Sequence, residues 1–275
     1  MMPLGIFAKT FERENVSQVL QAVKEHGYSV AHFNFACLGM DAMPEVIPNE
    51  AVREIQAAIE ATGVHLVGVS ATYNMAHPDP KVQRDGLKKL ETIAATCPEI
   101  KVPLITLCTG TRNTADKWAF HPDNDSRAAW LDMAHSMEKA IVIAEQYDVL
   151  LGIEPELANV ISNPQQAARL LREMGSERIK IIFDPANLFE KAEVPEIKRL
   201  IASGIDLLAP HIAMVHAKDR TADGEFAAPG KGIIPFDFLI EQLESRGVNC
   251  PVVAHGFVEK EAPEVANYLK FELGI

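Results

Sequence analysis

The chain has 275 residues, 48% of them hydrophobic, and a formal net charge of -12. That length carries a full-sized core, and barrels of roughly 250 residues fold as one domain. The acidic balance and the lack of a basic run argue against a nucleic-acid surface, which needs cations to neutralise phosphates. The opening MMPLGIFAKTFEREN has no positive segment followed by an apolar one, and no stretch approaches the roughly 18 apolar residues of a membrane span. The expectation is a cytoplasmic protein without membrane contact. Cys37, Cys97, Cys108 and Cys250 show no paired spacing, which argues for packed reduced thiols rather than a zinc ribbon or disulfide framework.

Along the chain, short β-branched or apolar runs alternate with longer amphipathic stretches, the rhythm of βα units around a parallel sheet. Strands are expected at Leu4 to Phe7, Val30 to Asn34, His65 to Ser70, Leu104 to Leu107, Leu150 to Glu154, Ile179 to Asp184, Ile212 to His216 and Val252 to His255. Helix starts are punctuated at Asn49, Asp79, Asn163-Pro164 and Pro195, because a side-chain acceptor or a missing N–H suits an unpaired first turn. Gly27, Gly63, Gly175 and Gly247 supply helix ends, where a left-handed residue returns the chain to the next strand. Eight such units with no linker between them predict a single-domain α/β fold over residues 1–275, a (β/α)8 TIM barrel. Two connections are long, Cys108 to Ser126 and Lys218 to Pro235, and long loops after barrel strands shape the mouth of the site.

The expected strand exits gather Glu154, Glu156, Asp184, His216, Lys218, Asp219 and His255. Any one of these alone reads as a loop anchor or a solvated group. Glu154, Asp184, His216 and His255, from four successive strands, can converge on one divalent ion, Mn, Mg, Co or Zn, since carboxylates and imidazoles are its ligands. Strand alternation separates His211 from His216: five residues apart, they face opposite ways. His211 is read as structural and His216 as the ligand.

The segments LGIEPE (151–156), IIFDPANLF (181–189), VHAKD (215–219) and the turn Pro229-Gly230-Lys231-Gly232 resemble the xylose isomerase-like barrel family of sugar isomerases and epimerases. GVSATYNMAHPD (68–79) and LCTGTRN (107–113) extend the likeness. The resemblance implies metal ligation by Glu154, Asp184 and His216, with Glu154, Glu156 and Lys218 in the chemistry. It also implies substrate contacts from Asn74, His77, Asn187 and Asp219. Two departures stand out. Asn187 replaces the histidine of the family's Asp-x-x-His, and His255 stands where the family has a second metal-binding glutamate. Two carboxylates with two neutral imidazoles leave the ion's surroundings less negative than three carboxylates would.

A small sugar, sugar phosphate or sugar acid is the implied substrate, through removal of a proton beside a carbonyl. Lacking the second glutamate, the chain is placed slightly nearer same-face aldose–ketose isomerisation than two-face epimerisation. Other readings stay open: a sugar-binding protein with reduced turnover, a metal-dependent dehydratase, and, against the net charge, an abasic-site nuclease. Lys218 either faces the substrate oxyanion or pairs with a carboxylate such as Asp219. Lys231 either reaches a substrate phosphate or sits in a plain turn. Tyr73, Trp118 and Phe120 either form an apolar lid or pack within their loops or against another subunit of a homo-oligomer.

Overall fold

The computed structural model describes residues 2–275. Among them eight parallel strands close into a barrel: β1 (Leu4–Phe7), β2 (Val30–Phe33), β3 (His65–Ser70), β4 (Leu104–Leu107), β5 (Leu150–Ile153), β6 (Ile179–Phe183), β7 (Ile212–Ala217) and β10 (Val252–Ala254), which pairs back onto β1. Between β7 and β10 the chain makes a small antiparallel ribbon, β8 (Asp219–Arg220) with β9 (Phe226–Ala227). The outer ring comprises α1 (Val16–Glu25), α2 (Asn49–Thr62), α3 (Pro80–Thr96), α4 (Arg127–Gln146), α5 (Pro164–Met174), α6 (Val194–Leu208), α7 (Phe236–Ser245) and α8 (Ala262–Leu273). Among the described residues no helix is long and apolar enough to cross a membrane.

The helix ends follow the local chemistry of the sequence. The Asp79 carboxylate accepts from the Lys81 N–H, and the Asn163 side chain accepts from the Gln166 N–H, each satisfying a first-turn donor. Gly63 and Gly175 end α2 and α5 in left-handed geometry. Asn49 is a correction: Pro48 holds the cap position without a side-chain bond, and Asn49 is the first helical residue.

Four expected strands end one residue early, at Phe33, Ile153, Phe183 and Ala254. Polar side chains immediately beyond two of these ends turn the backbone away: Asn34 Oδ1 accepts from Ala36 N–H and Asp184 Oδ1 from Ala186 N–H, each opening a 3-10 turn. Strand β7 instead runs one residue further, to Ala217.

Side-chain alternation sorts the barrel into two cores. Leu104, Ile182, Met214 and Val253 fill the lumen as one apolar cluster. Their neighbours in sequence, such as Ile105, Ile181, Val215 and Ala254, pack outward under the helices. The lumen is filled by mixing large and absent side chains. A Cβ on Gly152 would lie 2.7 Å from Ile182 Cδ1, so glycine is what lets that large residue cross the axis. One period further along the strands the lumen turns polar, with Phe7, His32, Ser70, Thr106, Glu154, His216 and His255 lining a cavity at the carboxyl ends.

The four cysteines are free thiols, all buried. Burial pushes the Cys108 and Cys250 thiols up to about 12, so they pack as small apolar groups.

Candidate metal centre and cavity

Glu154, Asp184, His216 and His255 come together: one ligand atom from each lies within 4.8 Å of all the others. Their convergence follows from register. Each stands at, or one residue past, the exit of its strand, and all have the lumen-facing parity. Asp184 spends Oδ1 on the backbone turn, 2.8 Å from Ala186 N, which leaves Oδ2 aimed inward. Glu154 Oε1 accepts from Asn187 Nδ2 at 2.8 Å, and Glu154 Oε2 lies 3.2 Å from His216 Nδ1. His255 Nε2 is 3.8 Å from Asp184 Oδ2.

Asp184 Oδ2, both ring nitrogens of His216 and His255 Nε2 are buried without a hydrogen-bond partner. A buried polar atom left unmade costs about 1–3 kcal/mol, and Asp184 Oδ2, one ring nitrogen of His216 and His255 Nε2 face one point, where a ligated cation would satisfy them. Two carboxylates and two imidazoles suit Mn, Co or Zn better than an all-oxygen ion site would. The donor set therefore fits a divalent metal.

Lys218 adds a fixed positive charge. It is buried, its Nζ lies 3.1 Å from Asp184 Oδ2 and donates to Asn187 Oδ1 at 3.3 Å. Asn187 thereby bridges Glu154 and Lys218 through its two amide atoms. Glu156, two residues past Glu154, lines the same cavity, and its Oε2 accepts from Asn159 Nδ2 at 3.0 Å.

The electrostatics follow from burial and mutual proximity. Burial, reinforced by Asp184, pushes the Glu154 carboxyl well above the usual carboxylate range. Burial and then the Glu154 charge push Glu156 up to about 8. For Asp184 burial acts upward too, but the Lys218 ammonium together with His255 and His216 outweighs it and holds the group well below its ordinary value. Burial drives the His216 imidazole down to about 4, and burial with the nearby His216 lowers His255. The metal-free cluster at neutral pH is thus an Asp184–Lys218 ion pair among protonated carboxyls and neutral imidazoles, the histidine state that ligation requires.

Other expected site residues have different surroundings. Asn74 is buried in loop contacts, its Oδ1 accepting from Thr111 N–H and its Nδ2 donating to the Thr111 carbonyl, because a buried amide must satisfy both ends. His77 Nδ1 accepts from Asp79 N–H just before α3. Asp219 is fully buried, and its oxygens accept from the N–H groups of Arg220, Gly230, Gly232 and Ile234. Lys231 pairs with Glu264 at the surface, and the partner of Lys218 is Asp184 rather than Asp219. None of Asn74, His77, Asp219 and Lys231 lines the cavity. Tyr73 is buried against Ser136, while Trp118 lines the cavity and Phe120 points elsewhere.

Sequence reasoning missed His32, Thr106, Arg220 and Phe226, which all line the cavity. His32 Nε2 lies 2.9 Å from Thr106 Oγ1, and its ring stacks 5.6 Å from that of His216. Its place near the exit of β2, with the same parity as the quartet, was the available signal.

Three solved structures share the whole architecture. A D-tagatose 3-epimerase-like protein superposes with a TM-score of 0.79 at 16% identity, covering 99% of this chain and 97% of the other. A probable 3-DHS dehydratase from Bacillus anthracis gives 0.76 at 15% identity, covering 98% and 99%. The IolI protein, solved with a bound zinc atom, gives 0.74 at 15%, covering 99% and 98%. At such identities the likeness is one of fold. No curated protein sequence matches the chain. The family model for the xylose isomerase-like TIM barrel matches residues 9–270, a span that takes in every barrel strand but the first, and the chain belongs to that family.

Proposed function

We propose that the protein is a divalent-metal-dependent isomerase or epimerase of a small sugar or sugar acid, working by proton transfer at the carbon beside a carbonyl, with same-face isomerisation favoured. The observation that carries this reading is the set of buried, unpartnered donor atoms on Asp184, His216 and His255 at the floor of a cavity of about 810 Å³ that also holds a carboxyl with one free oxygen, Glu156. A divalent ion held by Glu154, Asp184, His216 and His255 would polarise a substrate carbonyl and its neighbouring hydroxyl and so acidify the carbon-bound proton.

The chain's own groups divide the remaining work. Glu154 Oε1 accepts from Asn187 and Oε2 faces the cluster beside His216, where a divalent ion would take it, so Glu154 is poorly placed to move a proton. Glu156 keeps one oxygen free of protein partners, and its elevated pKa, near neutrality, suits a group that takes up a proton and returns it. Lys218 Nζ sets a positive charge where a substrate oxygen becomes negative. On the opposite side of the cavity β1 to β4 contribute Phe7, His32, Ser70 and Thr106 and, among the described residues, no carboxylate. Carboxyls confined to the β5–β7 side suit transfer between two carbons of the same face. Two-face epimerisation would need His32 or His255 as the second base.

The test is solvent deuterium incorporation beside the carbonyl, followed by nuclear magnetic resonance with a panel of ketoses, aldoses and sugar acids. Metal-dependent incorporation that Glu156→Gln abolishes supports the reading. A product lighter by one water would indicate the dehydratase chemistry instead, and metal binding with no exchange on any substrate would leave a binding protein.

A further inference from the structure

Among the described residues, Arg220 is the arginine that is buried yet has no carboxylate of its own. Every other arginine is exposed or ion-paired, as Arg112 is with Asp132. Arg220 keeps only 7% of its surface exposed. Arginine is rarely buried without a partner, because a buried charge that nothing compensates is costly.

Neutral groups hold the guanidinium in place. Nε donates to the Ala186 carbonyl and Nη1 to the Gly224 carbonyl. The ring centres of Phe226 and Phe189 lie 4.3 Å and 6.0 Å from its Cζ. These contacts fix the group without neutralising it. Burial holds the guanidinium below its ordinary value, against the more distant pull of Asp184, Glu190 and Glu225.

The uncompensated charge belongs to the cavity. Nη2 has no partner among the described residues, and Arg220 lines the cavity wall. Lys218, two residues earlier and so on the same side of the extended chain, is a second buried cation there. Its Nζ lies 4.1 Å from the same Phe226 ring centre, which makes the two cations near neighbours. Lys218 has Asp184 beside it, but Asp184 belongs with Glu154 to the cluster that would hold a divalent ion. Those two carboxylates are committed, and Arg220 has no share in them.

At the rim the charges balance, Glu190, Asp223 and Glu225 standing with Lys9, Lys117 and Lys191. All six are exposed or half-buried, where water and salt screen them. The imbalance is confined to the buried wall, and it is positive in a chain of net charge -12. A ligand that brings a negative group to this wall removes it. Arginine suits that partner, since its planar fork offers several N–H donors to the oxygens of a carboxylate or phosphate.

We propose that Arg220 is a specificity-determining residue that binds an anionic group of the substrate, a carboxylate or a phosphate, on the wall beside the Glu154, Asp184, His216 and His255 cluster. The protein thereby selects a sugar acid or sugar phosphate over the neutral sugar. This rests on the carbohydrate reading of the cavity, and its test uses binding and crystallography rather than turnover.

The full-length Mn-loaded protein is titrated by calorimetry with matched pairs: D-glucuronate and D-glucose, D-galacturonate and D-galactose, D-fructose 6-phosphate and D-fructose. At least one anionic probe should bind about tenfold more tightly than its neutral partner, as charge-assisted hydrogen bonds allow. A preference confined to the acids identifies the group as a carboxylate, and one confined to the phosphate pair identifies it as a phosphate. Arg220→Gln should bring the ratio toward one while changing the neutral sugar's affinity far less, and Arg220→Lys should fall between. A carboxylate can also bind the ion itself, so a ratio that survives Arg220→Gln would overturn the proposal. So would equal affinities within every pair, including no binding by either member. A loss in Arg220→Gln that is equal for neutral and anionic probes would also overturn it, because a wall that had merely lost a brace would behave that way. Where Arg220→Gln does not fold, a crystal of the Mn-loaded parent soaked with the tightest anionic probe decides. The anionic group within hydrogen-bond distance of Arg220 supports the proposal, and the same group on the ion or in solvent overturns it. Anion preference without deuterium exchange would leave this inference standing and remove the proton-transfer reading; exchange with equal affinities would do the reverse.

Discussion

Asp219→Asn separates the structural role of this carboxylate from a role in contacting substrate. Asp219 has no exposed surface. Its Oδ1 accepts from Arg220 at 2.8 Å and Ile234 at 3.1 Å, and its Oδ2 from Gly230 at 3.0 Å and Gly232 at 2.9 Å. Asparagine keeps one acceptor oxygen and sets an NH2 group against two N–H donors, so two bonds disappear and two buried donors are orphaned. Hydrogen bonds to a charged group contribute about 1.5–3 kcal/mol each, which gives about 3–6 kcal/mol lost. Burial pushes the Asp219 carboxyl upward against the pull of these N–H groups, so relief from burying a charge offsets part of that loss. The net expectation is a destabilisation of about 3 kcal/mol, or a fall in Tm of roughly 6–10 °C. Urea unfolding with an unchanged slope measures it directly. A variant within about 1 kcal/mol of the parent, with weakened substrate binding, would refute the structural account and return Asp219 to the cavity.

The remaining expectations concern the quartet. His255→Ala should lower metal affinity by roughly 10- to 100-fold or more, whereas His255→Glu should retain the ion and raise any epimerisation detected by deuterium exchange; unchanged metal occupancy in His255→Ala would mean three protein ligands. Ligation needs the Glu154 carboxylate, whose proton is held above the usual range by burial and Asp184, while His216, driven down to about 4, is already neutral. Metal binding at pH 7 should therefore release protons, read as a dependence of calorimetric heat on buffer ionisation enthalpy, and affinity should rise with pH. Heat independent of buffer would contradict this. The raised Glu154 and Glu156 carboxyls lose their stabilising contribution as pH rises from about 4.5 toward 8, while His216 and His255, lowered in the fold, gain theirs up to their ordinary value of 6.5, so chelated protein should lose stability chiefly between about pH 6.5 and 8, measured by urea midpoints.

Much of the barrel was legible because its signals are local. Alternation such as that of Ile182 and Asp184 against Ile181 and Phe183 fixes which side chains enter the lumen, and the same parity placed Ala254 outward and His255 inward. The convergence of Glu154, Asp184, His216 and His255 follows from that parity once the barrel closes. Other features were hidden because they depend on partners distant in sequence. That Asn74 is consumed by the Thr111 backbone, or Lys231 by Glu264, cannot be seen from residue type, since polarity shows that a partner is needed but not which. The ribbon carrying Phe226 has strands of two residues, too short for alternation to register. Lys218 was left between a substrate oxyanion and a carboxylate such as Asp219, and its parity with His216 puts it instead beside Asp184 across the lumen.

The central claim is that Glu154, Asp184, His216 and His255 jointly hold one divalent ion, and a Mn titration of chelated protein followed by calorimetry tests it most directly. One Mn should bind per chain, with affinity lost markedly in Asp184→Asn, which removes one of two anionic ligands, and kept in Asp125→Asn, whose side chain is exposed on a surface turn. Absence of Mn binding by the parent protein, or equal affinity in the two variants, would contradict the account.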